Sequence, residues 1–225
     1  MKKLIISTIA FLIMANLYGQ SEEIFLQQLR DKYATVSSLH AKMTVSREDA
    51  PDEQVEIWFD PRHSKIITGD MEMMLNDSWF VMVDKAGKMI NLQKRAAAQP
   101  LEAMARSYQL PIDSLLGMSN HIVVDTLTTS SAIAVHLDLN HPLLDQMTIT
   151  TDLSLNLRSV RYQLHGFGEQ LSQMHVRYTT FDTKPKLTQT QFALAQYVRF
   201  SNPAYEPTSA YRGYQVNQIA STYPN

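Results

Sequence analysis

Leu39-His40-Ala41-Lys42-Met43-Thr44-Val45 alternates along its whole length, apolar at 39, 41, 43 and 45 and polar at 40, 42 and 44. A period of two places the apolar set on one face of an extended strand, half-buried against a core. The polar stretch Arg47-Glu48-Asp49-Ala50-Pro51-Asp52-Glu53-Gln54 reads as a turn, after which Val55, Ile57 and Phe59 alternate with Glu56, Trp58 and Asp60 until Pro61. Proline gives no donor to a ladder, so the two runs predict a hairpin whose second strand stops at residue 60. Farther on, Ile67, Gly69, Met71, Met73 and Leu75 read as one more alternating face. Asn76-Asp77-Ser78 then reads as a turn, 79–83 as a strand, 84–88 as a second turn and 89–92 as a return strand. This half of the chain is predicted to be an antiparallel meander.

Upstream of the first strand, Phe25, Leu29, Tyr33 and Val36 recur at helical spacing. Ser21 stands in the N-cap position, with Glu22 and Glu23 at the positive end of the helix dipole. Earlier still, Lys2 and Lys3 precede an uncharged apolar run from 4 to 17, the pattern of a secretory signal peptide cleaved after Gly19. The run is too short for a membrane anchor, which needs roughly 18 apolar residues or more. No cysteine is present, so no lipobox thiol, disulfide or thiolate metal site is available, and the mature protein is expected to be exported and soluble. Cleavage removes two lysines and no acid, taking the net charge from −2 to −4. A phosphate-binding surface wants a clustered basic excess, so nucleic acid is excluded as a partner.

Downstream, the strand signal lapses between 96 and 118, where Leu101, Met104, Ala105 and Tyr108 have helical spacing. Alternation resumes from 122 to 139, and three more strands are predicted at about 145–151, 157–164 and 171–180. Strands apolar on one face only are the mark of an antiparallel sheet with one solvated side, and that sheet's apolar face must be covered. The N-terminal helix and the helical insertion are the candidate covers. The fold expected is therefore α+β: a curved antiparallel sheet lidded by helices.

Chemistry gives little purchase. The seven histidines have no HxH or HExxH spacing, there is no GxSxG elbow, and the glycines form no phosphate-binding loop. No metal, cofactor or catalytic residue is called for. Of the twelve methionines, Met71, Met73, Met74 and Met82 concentrate in adjacent strands, with Met104 and Met118 in the insertion. Methionine is flexible and polarisable, suited either to plain core filling or to an apolar surface that adapts to its ligand.

From Glu23 to Phe192 the chain resembles the LolA-like periplasmic carriers of outer-membrane lipoproteins. The resemblance runs through Val36-Ser37-Ser38-Leu39-His40-Ala41-Lys42-Met43, Ile57-Trp58-Phe59-Asp60-Pro61, Asn76-Asp77-Ser78-Trp79-Phe80, and a closing Phe181-Asp182-Thr183-Lys184-Pro185-Lys186-Leu187. It implies an incomplete antiparallel β-barrel with an α-helical lid over an apolar cavity. It also implies a monomer that takes acylated lipoproteins from an inner-membrane lipoprotein-releasing transporter to an outer-membrane acceptor. The arginine that stands before the proline in the family's Trp segment is Asp60 here, with Arg62 nearby, so its lid-latching role is not carried over. On this reading residues 20–200 are the lipid-binding domain and 201–225 a tyrosine-rich C-terminal extension. The expected ligand wall is Ala41, Met43, Val45, Val55, Ile57, Phe59, Ile67, Met71, Met73 and Leu75, with Leu101, Met104 and Tyr108 from the lid. The competing expectation is a static envelope or accessory protein that uses the same fold to bind a protein partner or another lipid.

Overall fold

The computed structural model describes residues 24–33, 36–48, 50–95, 117–127, 131–165 and 171–219. Helix α1 spans 24–33. The strands, in chain order, are β1 Leu39–Arg47, β2 Ala50–Phe59, β3 Ser64–Thr68, β4 Met71–Leu75, β5 Trp79–Asp84, β6 Met89–Lys94, β7 Ser119–Leu127, β8 Ala132–Leu139, β9 Leu144–Asp152, β10 Leu157–His165, β11 Leu171–Asp182, β12 Val198–Ser201, β13 Ala204–Pro207 and β14 Gln215–Ile219. The chain forms two compact units, one from residues before 36 with 110–171, the other from 36–109 with 172–225.

In the second unit the sheet runs β14-β6-β5-β4-β3-β2-β1-β11, an open order whose two end strands do not pair with each other. Every pairing in it is antiparallel except that of β14, which lies parallel to β6. The β1–β2 hairpin is longer than the sequence predicts, because β2 begins at Ala50. Polar cross-strand pairs extend it where apolar burial is lacking: Gln54 Nε2 donates to Thr44 Oγ1 at 3.0 Å, and Arg177 Nη2 to Asp52 Oδ2 at 3.0 Å.

The stretch 67–75 is a second correction. A single strand would carry Ile67 and Met71 on one face, yet the chain reverses at Gly69-Asp70, where Thr68 pairs with Met71 and Ile67 with Glu72. Gly69 sits at φ +48°, a left-handed conformation that glycine adopts at little cost. A two-residue turn inverts the parity of the alternation, so Ile67 lies on the face opposite Met71, Met73 and Leu75.

That opposite face carries the core of the unit. Met74, Val81, Val83, Ile90 and Leu92 are fully buried under Phe192, Tyr197 and Val198, with Trp58, Trp79, Leu187, Tyr205, Tyr211, Tyr214 and Val216 packed around them. The tyrosine-rich tail thus serves as the cover of this sheet face and, through β14, as its edge strand. Within this apolar layer Glu72, 5 % exposed, accepts from Lys65 Nζ at 2.8 Å, Tyr197 Oη at 2.7 Å and Tyr211 Oη at 3.3 Å. Burial pushes the Glu72 carboxyl up, but the hydrogen bonds from Lys65 and Tyr197 and the charges of Lys65 and Lys85 outweigh it, so the group titrates below its ordinary range. Burial and the neighbouring carboxylate hold the phenols of Tyr197 and Tyr211 well above theirs.

In the first unit α1 buries Phe25, Leu29 and Tyr33, three of the four residues of the stripe read from sequence. Its C-terminal end is tied to the β9–β10 turn: Lys32 Nζ donates to the Ser154 carbonyl and to Asn156 Oδ1, both at 2.7 Å, and Tyr33 Oη donates to the Leu155 carbonyl at 2.8 Å. Burial raises the Tyr33 phenol to about 12. Strands β7 to β10 pair in sequence order and antiparallel, sharing an apolar face through Val135, Leu137, Met147, Ile149 and Val160. Thr151, on the same face, is 0 % exposed, and its hydroxyl has no hydrogen-bond partner among the described residues. An orphaned buried hydroxyl costs about 1–3 kcal/mol, so Thr151→Val, which keeps the volume, is expected to raise the thermal midpoint by several degrees in a melting curve.

Of the helical insertion expected over 96–118, residues 96–116 lie outside the described residues, and with them Leu101, Met104 and Tyr108. The signal segment 1–19 lies outside them too. Among the described residues the structure is mostly strand, with α1 as its longer helix, and no helix is long and apolar enough to cross a membrane. The helical cover expected over the sheet is therefore not seen in what is described.

Candidate functional site: a methionine-rich sheet face

Cross-strand partners share a face, so the pairing register identifies the side of the second unit's sheet opposite the tail-covered core. Ala41 faces Ile57, Met43 faces Val55, Ile57 faces Ile66, Ile66 faces Met73, Met73 faces Met82, and Leu75 faces Phe80. The register continues through Met71 and Asp84 to Met89 on β6, and through Ala41 to Phe181 and Met43 to Tyr178 on β11.

Of the residues predicted from sequence, Ala41, Met43, Val45, Val55, Ile57, Phe59, Met71, Met73 and Leu75 share this face, whereas Ile67 does not. Ala41, Met43, Ile57, Phe59 and Leu75 are buried, and Val45, Val55, Met71 and Met73 are half-buried. Ile66, Phe80, Met82 and Met89 belong to the same surface, half-buried like Met71 and Met73, and stand outside the expected ligand wall, although Met82 is one of the clustered methionines noted in the sequence. The signal for Ile66 is Gly69-Asp70 itself: read as a two-residue hairpin turn, it selects Ile66 instead of Ile67.

Ile66, Met71, Met73, Phe80 and Met82 form a half-buried apolar cluster built largely from methionine, with Met89 beyond Asp84 on the same face. It carries no lysine or arginine. Polar residues share the face: Asp84, between Met71 and Met89 in the register, accepts the Gly87 N–H at 2.8 Å, Asn91 and Gln93 lie beside Met82 and Phe80, and Glu53 pairs with Arg47 at 3.1 Å. Such a surface offers dispersion contacts and removal of apolar area from water, with no charge to select a headgroup. Flexible thioethers let it adapt to ligands of different shape. Its side chains can take up apolar groups of a ligand by dispersion and burial.

No protein-family model and no curated protein matches the sequence. Among solved structures, an uncharacterized conserved protein from Thermus thermophilus is 8 % identical with a TM-score of 0.46, covering 86 % of this chain and 98 % of that one. MucB of Pseudomonas aeruginosa, in its complex with MucA, is 11 % identical with a TM-score of 0.44, covering 81 % and 73 %. A LolA superfamily protein from Nitrosomonas europaea is 7 % identical with a TM-score of 0.31, covering 75 % and 97 %. A LolA superfamily protein is thus among the solved structures that this chain resembles.

Proposed function

We propose that the protein is an exported carrier that binds the acyl chains of lipoproteins on the methionine-rich face of its second unit and moves them from the inner to the outer membrane. The observation that carries this reading is the half-buried patch of Ile66, Met71, Met73, Phe80, Met82 and Met89, an apolar surface free of cations. At roughly 0.8 kcal/mol per buried methylene, a few acyl chains can be held tightly without ionic contact. The donor is an inner-membrane lipoprotein-releasing transporter and the recipient an outer-membrane acceptor. These partners and the periplasmic location follow from the sequence resemblance and the N-terminal leader.

Native mass spectrometry of the protein purified from cell envelopes is expected to show co-purifying lipid or lipoprotein, and binding of an acylated peptide to change little between low and moderate salt. A steep loss with salt would indicate headgroup recognition by lysine and arginine instead. Purification without lipid, but with one stoichiometric protein partner, would replace the carrier by the static partner-binding reading.

A further inference from the structure

The β4–β5 turn and the tail segment 189–193 enclose an open cleft of about 450 Å³, apart from the methionine face and within the second unit. This is inside the roughly 300–1,000 Å³ range of small-molecule sites. Its walls are fixed by Asn76. The Asn76 Oδ1 accepts the N–H groups of Ser78 and Trp79 at 2.9 and 2.8 Å, and its Nδ2 donates to the Phe192 carbonyl at 2.8 Å. His63 stacks on Phe192 with ring centroids 5.0 Å apart, and its Nδ1 lies 3.0 Å from both carboxylate oxygens of Asp60. Trp79 is steadied edge-on by Tyr205, 5.5 Å away.

What these residues leave unused defines the ligand. With Asp60 engaged at Nδ1, the Nε2 of His63 has no hydrogen-bond partner among the described residues. The indole N–H of Trp79, the hydroxyl of Ser78 and the amide of Gln189 make no hydrogen bond among the described residues, and all four side chains line the cleft. The charges nearby are spent: Asp77, at the cleft wall, is paired in a forked contact with Arg62, whose Nε lies 3.2 Å from its Oδ1. An anion therefore finds no uncommitted cation there, and a cation finds only a carboxylate already bound. A purely apolar ligand would desolvate four polar groups without replacing their hydrogen bonds. Mixed donors and acceptors beside an aromatic ring suit a neutral ligand whose groups both donate and accept around an apolar face. That is the chemistry of a pyranose sugar, with its C–H face on Trp79 and its hydroxyls toward His63, Ser78 and Gln189.

We propose that this cleft binds a neutral saccharide unit. The protein has two tryptophans, so Trp58→Phe, which lies outside the cleft lining, leaves Trp79 as the only indole reporter. Titration of this variant with maltotriose, cellotriose and N,N′-diacetylchitobiose is expected to give a saturable change in Trp79 emission with at least one of them, insensitive to salt. The same sugar is expected to bind the unsubstituted protein in a calorimetric titration, which guards against a fold defect in the variant. The double variant Ser78→Ala/Gln189→Ala, both residues exposed, should melt as the parent does and bind roughly tenfold or more weakly. Saturation by none of the three sugars, or undiminished affinity in the double variant, overturns the proposal. Lipid retention by the methionine face is unaffected in either case, so the two readings fail separately.

Discussion

Met74→Asp is expected to unfold the protein, while Met73→Asp, one residue away, leaves it folded and unable to hold lipid. The two side chains point to opposite sides of β4. Met74 is 1 % exposed, pairs with Val81 and is sealed beneath the tail with Ile90, Leu92, Phe192 and Tyr197. A carboxylate there is cut off from water, and the nearest cation, its cross-strand neighbour Lys65, is already bound by Glu72; the penalty, above about 4 kcal/mol, is a large part of a typical 5–15 kcal/mol stability. Met73 is half-buried between Ile66 and Met82, where an ionised group keeps access to solvent in the ligand-free protein. The expected loss of stability is about 1–2 kcal/mol. When acyl chains cover the same place the carboxylate must be desolvated, so binding is lost while folding survives. Circular dichroism melts and lipid-binding titrations on the two variants read out the difference. Retained lipid binding by folded Met73→Asp would remove the methionine face from the ligand site, and unfolding of that variant without ligand would mean this face is solid core.

The second large effect is expected at Glu72. Glu72→Ala leaves the hydroxyl of Tyr197 without its acceptor and the ammonium of Lys65 with only Gln196 Oε1, 3.3 Å away, and breaking a buried pair from one side costs about 3–5 kcal/mol. Replacing the set with apolar residues of similar size, as in Lys65→Met/Glu72→Met/Tyr197→Phe, removes the unpaired groups together and should restore most of the stability in urea unfolding. The network also sets a pH dependence whose sign follows from the shifts. The folded carboxyl of Glu72 lies below its ordinary 4.5, so its contribution is present above that pH and is lost as pH falls through the folded value. The phenols of Tyr197 and Tyr211 lie above their ordinary 10.0, so their contribution is present below that pH and is lost as pH rises beyond it. Unfolding midpoints should therefore fall on both sides of a plateau between about pH 5 and 10. In Glu72→Gln the acid limb should flatten. A limb of unchanged steepness would assign it to other carboxylates.

Strand existence and the inward sets of β1 and β2 were legible because a one-sided sheet writes its burial into the sequence with a period of two. Leu39, Ala41 and Met43 against Ile57 and Phe59 are that signal, and the register pairs them across the hairpin. Helix α1 was legible for the same kind of reason, at a period near four. The error at Ile67 shows the limit: alternation passes through a two-residue turn with its parity reversed, and apolar residues at 66 and 67 leave either reading open. The extra length of β2 was hidden because Ala50 to Gln54 is held by polar cross-strand pairs, which look like loop composition.

The role of the tail was the least readable feature. Tyr197, Tyr205, Tyr211 and Tyr214 show no period, because they lie across β4, β5 and β6 in short 3-10 turns and a small ribbon, each set by contacts more than a hundred residues away. Local periodicity by itself determined where strands form and which residues of one strand share a face, since both depend on backbone geometry within a few residues. Which sheet face is closed by the tail, and that Glu72 finds Lys65 and Tyr197 inside an apolar layer, were decided by the tertiary structure, because burial depends on what packs from elsewhere in the chain.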